Sequence, residues 1–436
     1  MSVIADGYFD AGSHDRVEPA VQYDSASVLP GNRSKAEPWV LVAGDFRREG
    51  GMDRANAEFA EYLCAAGATV HLVSFRVDAE LAAHPNVHVY RAKRAAGAHF
   101  IAKRQLDRLG RAVAAEVTAQ SPRARVVVNG VNCTWPDINW VHYVHREWMV
   151  SPSAAPLWFR LKHGVDSWSN SRKEFRVLTG ARVLIANSER TRADLIRDLG
   201  VAPDRVHTVY LGCDSLWRTI TPERRAAARA WLGEPPDRPL VAFVGAFGHD
   251  SRKGFDTMWR AWRSLCARAG WDADLIVAGG GRALRRWRER IAREGLDARV
   301  RMLGFTDRVA DVLAAADLLV SPVRYESYGL NVQEAISCGV PAIVSRSAGV
   351  AERYPAELHD MLLPNPDDAH DLAERLLRWR AGIDEFKRRI APLAVTLRAW
   401  TWRDMAAQMV AVVESAEMVR TSVESQERIA FRGEPA

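Results

Sequence analysis

With 436 residues, 48% of them hydrophobic, the chain is too long for one compact core and predicts two domains of roughly 150 to 200 residues with a cleft between them. Its 60 Lys and Arg against 54 Asp and Glu leave a formal charge of +6. That balance, without a dense basic run interleaved with aromatics, argues against a dedicated nucleic-acid binder and suits anionic small molecules or a membrane surface. Cys64, Cys133, Cys213, Cys266 and Cys338 form no CxxC pair and have no histidine at zinc spacing, so they are expected as reduced core residues. The opening "MSVIADGYFDAGSHDR" lacks the basic-then-apolar pattern of an export signal, and no stretch of about 18 consecutive apolar residues marks a membrane span. A cytoplasmic protein is the expectation.

Residues 1–36 are polar and aperiodic and are expected to be a disordered leader. "PWVLVAGDF" is then a short apolar strand, "RREGGM" a loop, and "DRANAEFAEYLCAAGA" a helix in which Phe59, Leu63 and the alanines recur at helical spacing. With the next strand, "TVHLVSF", this makes a βαβ unit and implies a parallel sheet. The alternation continues through "ARVVVNG", "INWVHYV" and "ARVLIANS", the helix "ERTRADLIRDLG" closed by Gly200, and the strand "RVHTVYLGCD". The charged, Pro-rich "RTITPERRAAARAWLGEPPDRP" reads as a linker. After it the strands "LVAFVG", "DLIVAGG", "VRMLGF", "DLLVSPV" and "PAIVS" alternate with helices as before. Met405, Met409, Val412 and Val413 then form one stripe of a closing amphipathic helix, and "RTSVESQERIAFRGEPA" reads as a frayed tail. The expected architecture is α/β, two facing Rossmann-like doubly wound domains at 37–214 and 215–401, with 402–436 returning towards the first.

Carboxylates stand where this architecture expects an anion. "RYESYGLNVQEAISCGVPAIVS", residues 324–345, carries Glu326 and Glu334 on either side of a Tyr-Gly-Leu-Asn turn from strand to helix. The first amides of a helix have no internal partner and hold the positive end of its dipole, so the amides of Gly329, Leu330 and Asn331 are expected to face an anion in the cleft. A purely structural account makes Asn331 the N-cap and Glu334 the far half of a capping box, but it leaves Glu326 unexplained. In "GAFGHDSRKGFD", Arg252 and Lys253 follow a strand and precede a helix, as phosphate-binding cations would. Asp272 and Asp274 resemble a metal-binding DxD pair but begin a strand, whereas ligand sites in open α/β sheets lie at the carboxyl ends, so no metal is expected there. The triple glycine Gly279 to Gly281 lacks the third fingerprint glycine, Leu284 standing in its place.

The segment from Glu326 to Glu334 resembles the E-x7-E signature of retaining glycosyltransferases of the GT-B fold, family 4, the group 1 glycosyl transferases. Residues 186–214, "GFDTMWRAW" and "EAISCGVPAIVSRSAGVAE" resemble other segments of that family, and about residues 38 to 418 are covered. The resemblance implies an acceptor-binding N-terminal domain and a C-terminal domain that binds a nucleotide diphosphate-sugar. It implies ribose binding by Glu334, with Glu326 and Tyr328 near the sugar and phosphates, and phosphate contacts from Arg252, Lys253, Gly329, Leu330 and Asn331. Gly280, Gly304 and Phe305 are implied beside the nucleotide base, and Gly50 and Gly51 form the loop that nears the phosphates on closure. His145, at the end of "NWVHYVH", takes the place of an active-site histidine, with Lys253 and Glu326 as the other catalytic candidates. Many relatives carry an arginine where this chain has Ala246, so Arg252 is left to supply that charge.

The implied reaction is transfer of a hexose to a hydroxyl acceptor, whether glycan, lipid-linked or small molecule, with retention by front-side attack, no metal and no cofactor. Two alternatives share the ligand: a sugar-nucleotide epimerase of similar two-domain form, and a non-catalytic nucleotide-sugar binding protein. Residues 91–111 hold seven Lys and Arg among Phe100, Ile101, Leu106 and Leu109, a composition compatible with peripheral association at the inner membrane face.

Overall fold

Alternation along the first strand decides how its sheet is covered. In β1 (Trp39–Val42) all residues are buried, Trp39 and Leu41 in the core that contains Phe59 and Leu63 of α1 (Gly51–Ala65), Val40 and Val42 in the core beneath α2 (His99–Gln120). A strand covered on both faces must be apolar throughout, which is why these strands read as continuous hydrophobic runs. The structure, a computed structural model, describes residues 37–93, 99–144 and 171–432, with side chains except at 99–100 and 419–432. The proposed leader 1–36 and His145 lie outside the described residues.

The N-terminal sheet adds β2 (Val70–Ser74), β3 (Val87–Arg91), β4 (Arg125–Asn129), β5 (Ile138–Val141), β6 (Val183–Ala186) and β7 (Val206–Thr208), with α3 (Glu189–Leu199) between the last two. Its order is β3-β2-β1-β4-β5-β6-β7, parallel throughout. The second sheet comprises β8 (Leu240–Val244), β9 (Asp274–Ala278), β10 (Val300–Gly304), β11 (Leu318–Ser321), β12 (Ala342–Ser345) and β13 (Leu362–Leu363), in the order β10-β9-β8-β11-β12-β13 and again parallel. Each order reverses beside its first strand, at β1/β4 and β8/β11, and ligands of open α/β sheets sit at the carboxyl ends there. Helices α5 (Phe255–Cys266), α6 (Leu284–Arg293), α7 (Val309–Ala315) and α8 (Leu330–Ser337) form the crossovers of the second sheet.

Two segments differ from expectation. The stretch read as a linker contains α4 (Pro222–Leu232), whose start is capped by the Thr221 hydroxyl accepting from the Arg224 amide at 3.2 Å and whose end is Gly233 at φ 66. Its charge misled because Arg229 is buried, donating to Asp317 at 2.8 Å. The tail read as frayed continues the last helix: after α9 (Ala369–Ala381) and α10 (Ile383–Ala399), α11 runs from Trp402 to Arg432. Met405, Met409 and Val413 of α11 join the core of α1 and β1 in the N-terminal half. Cys64, Cys133, Cys213 and Cys338 are buried, Cys266 is partly so, and all are free thiols.

Candidate active site

Two loops meet at the second switch point, one after β8 and one after β11. They approach so closely that a Cβ on Gly254, at φ +71, would fall 1.8 Å from the Pro322 carbonyl oxygen, so only glycine fits. Three residues earlier Ser251 adopts φ 52, alone among the described non-glycine residues in having positive φ. This bend carries Lys253 to Glu326, where the ammonium donates to the carboxylate in a largely buried ion pair. Burial presses Glu326 towards its neutral form, but Lys253 and then Arg252 outweigh it and hold the carboxyl below the usual range.

Helix α8 begins directly beyond. Its N-cap is Gly329 at φ 114, without a side-chain cap. The capping-box reading therefore fails: Asn331 donates its carboxamide to the Val244 carbonyl at 3.0 Å, and Glu334 lies in the second turn of the helix. Among the described residues no acceptor meets the amides of Leu330 and Asn331, which leaves two donors at the positive end of the helix. Glu334 is half-buried, and desolvation pushes its carboxyl up to about 8, opposed by Arg54 of α1. Arg54 itself pairs with Asp214 and, at 3.5 Å, with Glu58. The two glutamates of the signature are thus driven apart, Glu326 held ionised and Glu334 held towards neutrality.

The N-terminal half closes over this turn. Gly50, at φ 87, is the N-cap of α1, and a Cβ on Gly51 would lie 3.0 Å from the Leu330 side chain, so the first turns of α1 and α8 touch across the cleft. On the other flank the loops after β8, β9 and β10 are stitched together: the Phe247 amide donates to the Gly280 carbonyl at 2.9 Å and that of Gly279 to Gly304 at 2.8 Å. A Cβ on Gly280 would sit 3.2 Å from Phe305 Cβ, and the Phe305 ring is 86% exposed on this rim. Lys253, Arg252, Glu326, Gly329, Leu330, Asn331, Gly50 and Gly51 are thereby gathered, with Gly280, Gly304 and Phe305 one loop further out.

Tyr328 is placed otherwise than expected. Its ring is 1% exposed in the core shared with the N-terminal half, its hydroxyl donates to Gln333, and its carbonyl accepts from the Val350 amide at 2.7 Å. Its side chain anchors the turn and does not face a donor. His142 is buried against Trp140 at 4.3 Å, and desolvation lowers it to about 3, so it is a neutral core residue. Asp272 pairs with Arg380 at 2.6 Å and Asp274 with Arg299 at 2.7 Å, at the amino end of β9. Among the described residues no group of three His, Cys, Asp or Glu is placed to hold a metal.

Sequence reasoning missed the anchors within the signature and directly before it. The Val144 amide donates to the Tyr325 hydroxyl at 2.9 Å, Ser188 donates to the Ser327 carbonyl at 2.7 Å, and Gln333 donates to the Gly212 carbonyl at 2.8 Å. Each crosses to the N-terminal half, so nothing local in the sequence announces it. Chemically, the turn joins one cationic pair, free helix-start amides and two carboxylates of opposite bias, an arrangement suited to a phosphate-bearing sugar donor.

Two parallel, doubly wound sheets of like order, each reversing beside its first strand, define a GT-B architecture. The family model described as "Glycosyltransferase Family 4" matches residues 49–215, and "Glycosyl transferases group 1" matches residues 238–381. The chain belongs to the group 1, family 4 glycosyltransferases. It is similar to D-inositol 3-phosphate glycosyltransferase 2 of Catenulispora acidiphila, at 35% identity over 188 residues, 41% of this chain and 43% of that one. The chain spans about half the length of the curated relatives it matches. In fold it is similar to the sucrose-phosphate synthase of Thermosynechococcus elongatus (TM-score 0.68, 22% identity, covering 88% of this chain and 100% of that one). It is also similar to Anabaena Alr3699/HepE in complex with UDP and glucose (TM-score 0.63, 17% identity, covering 87% and 100%).

Proposed function

We propose that the chain transfers a hexose from a nucleoside diphosphate-sugar to a hydroxyl acceptor, with retention of configuration. The observation that carries this reading is the Lys253–Glu326 pair set against the open amides of α8. A departing diphosphate gains charge as the sugar becomes oxocarbenium-like, and donors already oriented in a partly dry site stabilise it without reorganising. Lys253, Arg252 and the Leu330 and Asn331 amides supply that stabilisation in place of a divalent ion. Glu334 accepts the ribose hydroxyls, and Gly280, Gly304 and Phe305 border the base. Retention follows the family resemblance: front-side attack lets the leaving phosphate take the acceptor's proton, whereas double displacement would need paired carboxylates about 5 Å apart.

The complex of Anabaena Alr3699/HepE with UDP makes uridine donors the first to try, and the D-inositol 3-phosphate glycosyltransferases make a phosphorylated polyol the first acceptor. A thermal-shift screen of UDP-, GDP-, ADP- and dTDP-sugars identifies the donor, because a ligand of the native state raises the melting temperature. Lys253→Ala is then expected to lower transfer about a hundredfold or more, by the scale of lost oxyanion donors, with the fold intact. Unchanged turnover removes the phosphate role, and an inverted product by NMR removes retention.

Peripheral membrane contact is a separate part of the proposal. Arg104, Arg108 and Arg111 with Ile101 are exposed along α2, a face that suits anionic headgroups. Among the described residues no helix is long and apolar enough to cross a membrane. Co-sedimentation that ignores the anionic lipid content of vesicles would retire the contact.

A further inference from the structure

Arg252 is held from across the cleft. Its guanidinium carbon lies 5.5 Å from the ring centroid of Tyr143, which follows β5 in the N-terminal half, and its Nε lies 3.9 Å from the Asp250 carboxylate in its own loop. The Tyr143 ring meets the Tyr325 ring edge-on at 5.0 Å and 83°, and the Tyr325 hydroxyl accepts from the Val144 amide at 2.9 Å. The three side chains therefore form a bridge from the end of β5 to the residue beside Glu326. On the Arg252 side the backbone is braced as well: the Arg324 amide donates to the Arg252 carbonyl at 2.9 Å, and Ser251 before it stands at φ 52.

We propose that Tyr143 is a positioning residue for the donor's diphosphate: its ring face holds the Arg252 guanidinium beside Lys253 and Glu326, so that the second cation is in place only while the N-terminal half stands closed over the turn. This rests on the reading of Arg252 and Lys253 as the diphosphate cations. The physics favours a ring over a second carboxylate. A guanidinium over an aromatic face is attracted without being neutralised, so it keeps its charge. Burial pushes the Tyr143 hydroxyl up from its ordinary value, so the ring stays a neutral phenol. Asp250 alone, 3.9 Å from Nε, would draw the guanidinium back into its own loop. The ring opposes that from the other domain, which couples closure of the cleft to the strength of the phosphate site.

The experiment measures, by calorimetry, the Kd of UDP, GDP and ADP and of their monophosphates for Tyr143→Phe, Tyr143→Leu, Arg252→Ala and the Leu/Ala double variant, using the nucleotide the wild type holds most tightly. The readout is the ratio of monophosphate to diphosphate Kd, which a general loosening of the fold leaves unchanged. Tyr143→Leu is expected to lower that ratio about three- to tenfold and Tyr143→Phe to keep it, since the ring face is what attracts the cation. The double variant should be no lower than Arg252→Ala, because the tyrosine acts through the arginine. Tyr143→Met serves in place of leucine if that variant is insoluble. A Tyr143→Leu protein with the wild-type ratio, or with both nucleotides weakened equally, overturns the proposal, as do effects that multiply in the double variant. If Arg252→Ala keeps the wild-type ratio, or the wild type binds no nucleoside diphosphate, the donor reading itself falls. Loss in Arg252→Ala with none in Tyr143→Leu removes the tyrosine alone.

Discussion

Two glutamates of one short signature experience opposite environments. Glu326 faces Lys253 and Arg252 and stays ionised, while Glu334, desolvated and opposed by Arg54, is pushed up to about 8. The folded value of Glu334 lies above its ordinary 4.5, so the native state holds a proton that the unfolded chain releases. Its cost is absent below pH 4.5 and grows as pH climbs towards 8. Glu334→Gln should therefore melt like the wild type at pH 4 and be more stable at pH 8.5 by about 1 to 3 kcal/mol, discounted because the group is half-buried. Urea unfolding at both values checks it, and equal stability at the higher pH refutes it. A carboxylate that accepts ribose hydroxyls must also lose that proton, so nucleotide affinity should rise as pH passes about 8 and stay flat in Glu334→Gln. At this scale the sequence was informative about Glu326, Lys253 and Arg252, which lie in strand-to-helix loops, and about Glu334 in the helix turn that follows one, because the local pattern there is plain. It was uninformative about Tyr143, Tyr325 and Arg54, whose meaning depends on partners such as Val144, 181 positions from Tyr325.

Elements were read well where apolar periodicity was strong and poorly where charge hid a buried contact. Helix α4 shows why. Its arginines look solvated in sequence, yet Arg225 and Arg229 both reach Asp317, at 2.7 and 2.8 Å, where Lys387 of α10 also donates at 2.9 Å and the Leu240 amide at 3.1 Å. One buried carboxylate thus ties α4 and α10 to the start of β8. Asp317→Asn should destabilise by about 3 to 5 kcal/mol, because it strands the buried Arg229 without its counter-charge. Burial raises the Asp317 carboxyl, but Lys387, Arg225 and the Leu240 amide outweigh it and bring it below the ordinary value of 3.8. With a depressed folded value, the contribution is complete above pH 3.8 and is lost as pH falls through the folded value, so wild type and variant should converge in strong acid. A variant that unfolds at the wild-type urea midpoint at pH 7 would show the cluster to be peripheral.

The whole molecule is held shut by its last helix and by the signature turn. α11 places Met405 and Met409, both fully buried, in the core of the N-terminal half after the chain has already completed the second sheet. Met409→Ala should cost about 2 to 4 kcal/mol and shift one cooperative transition, as a cavity in a shared core does. A calorimetric trace in which only a minor early transition moves would show α11 to be a loosely docked appendage. At the turn, Tyr325, Ser327, Tyr328 and Gln333 contact the N-terminal half, while Glu326, Gly329 and Asn331 serve the site. The same nine-residue stretch therefore holds the proposed donor-binding residues and latches the two halves.

Taken by itself, the order of apolar strands and amphipathic helices determined two parallel doubly wound sheets, and the spacing of glutamates, glycines and cations marked the turn proposed here for a diphosphate, because both depend on contacts within a few turns of chain. What only the tertiary structure decided was the state of those groups: which glutamate is ionised, which tyrosine is a core anchor, which arginine is held from the opposite domain. Burial and long-range partners set those properties, and local sequence carries neither.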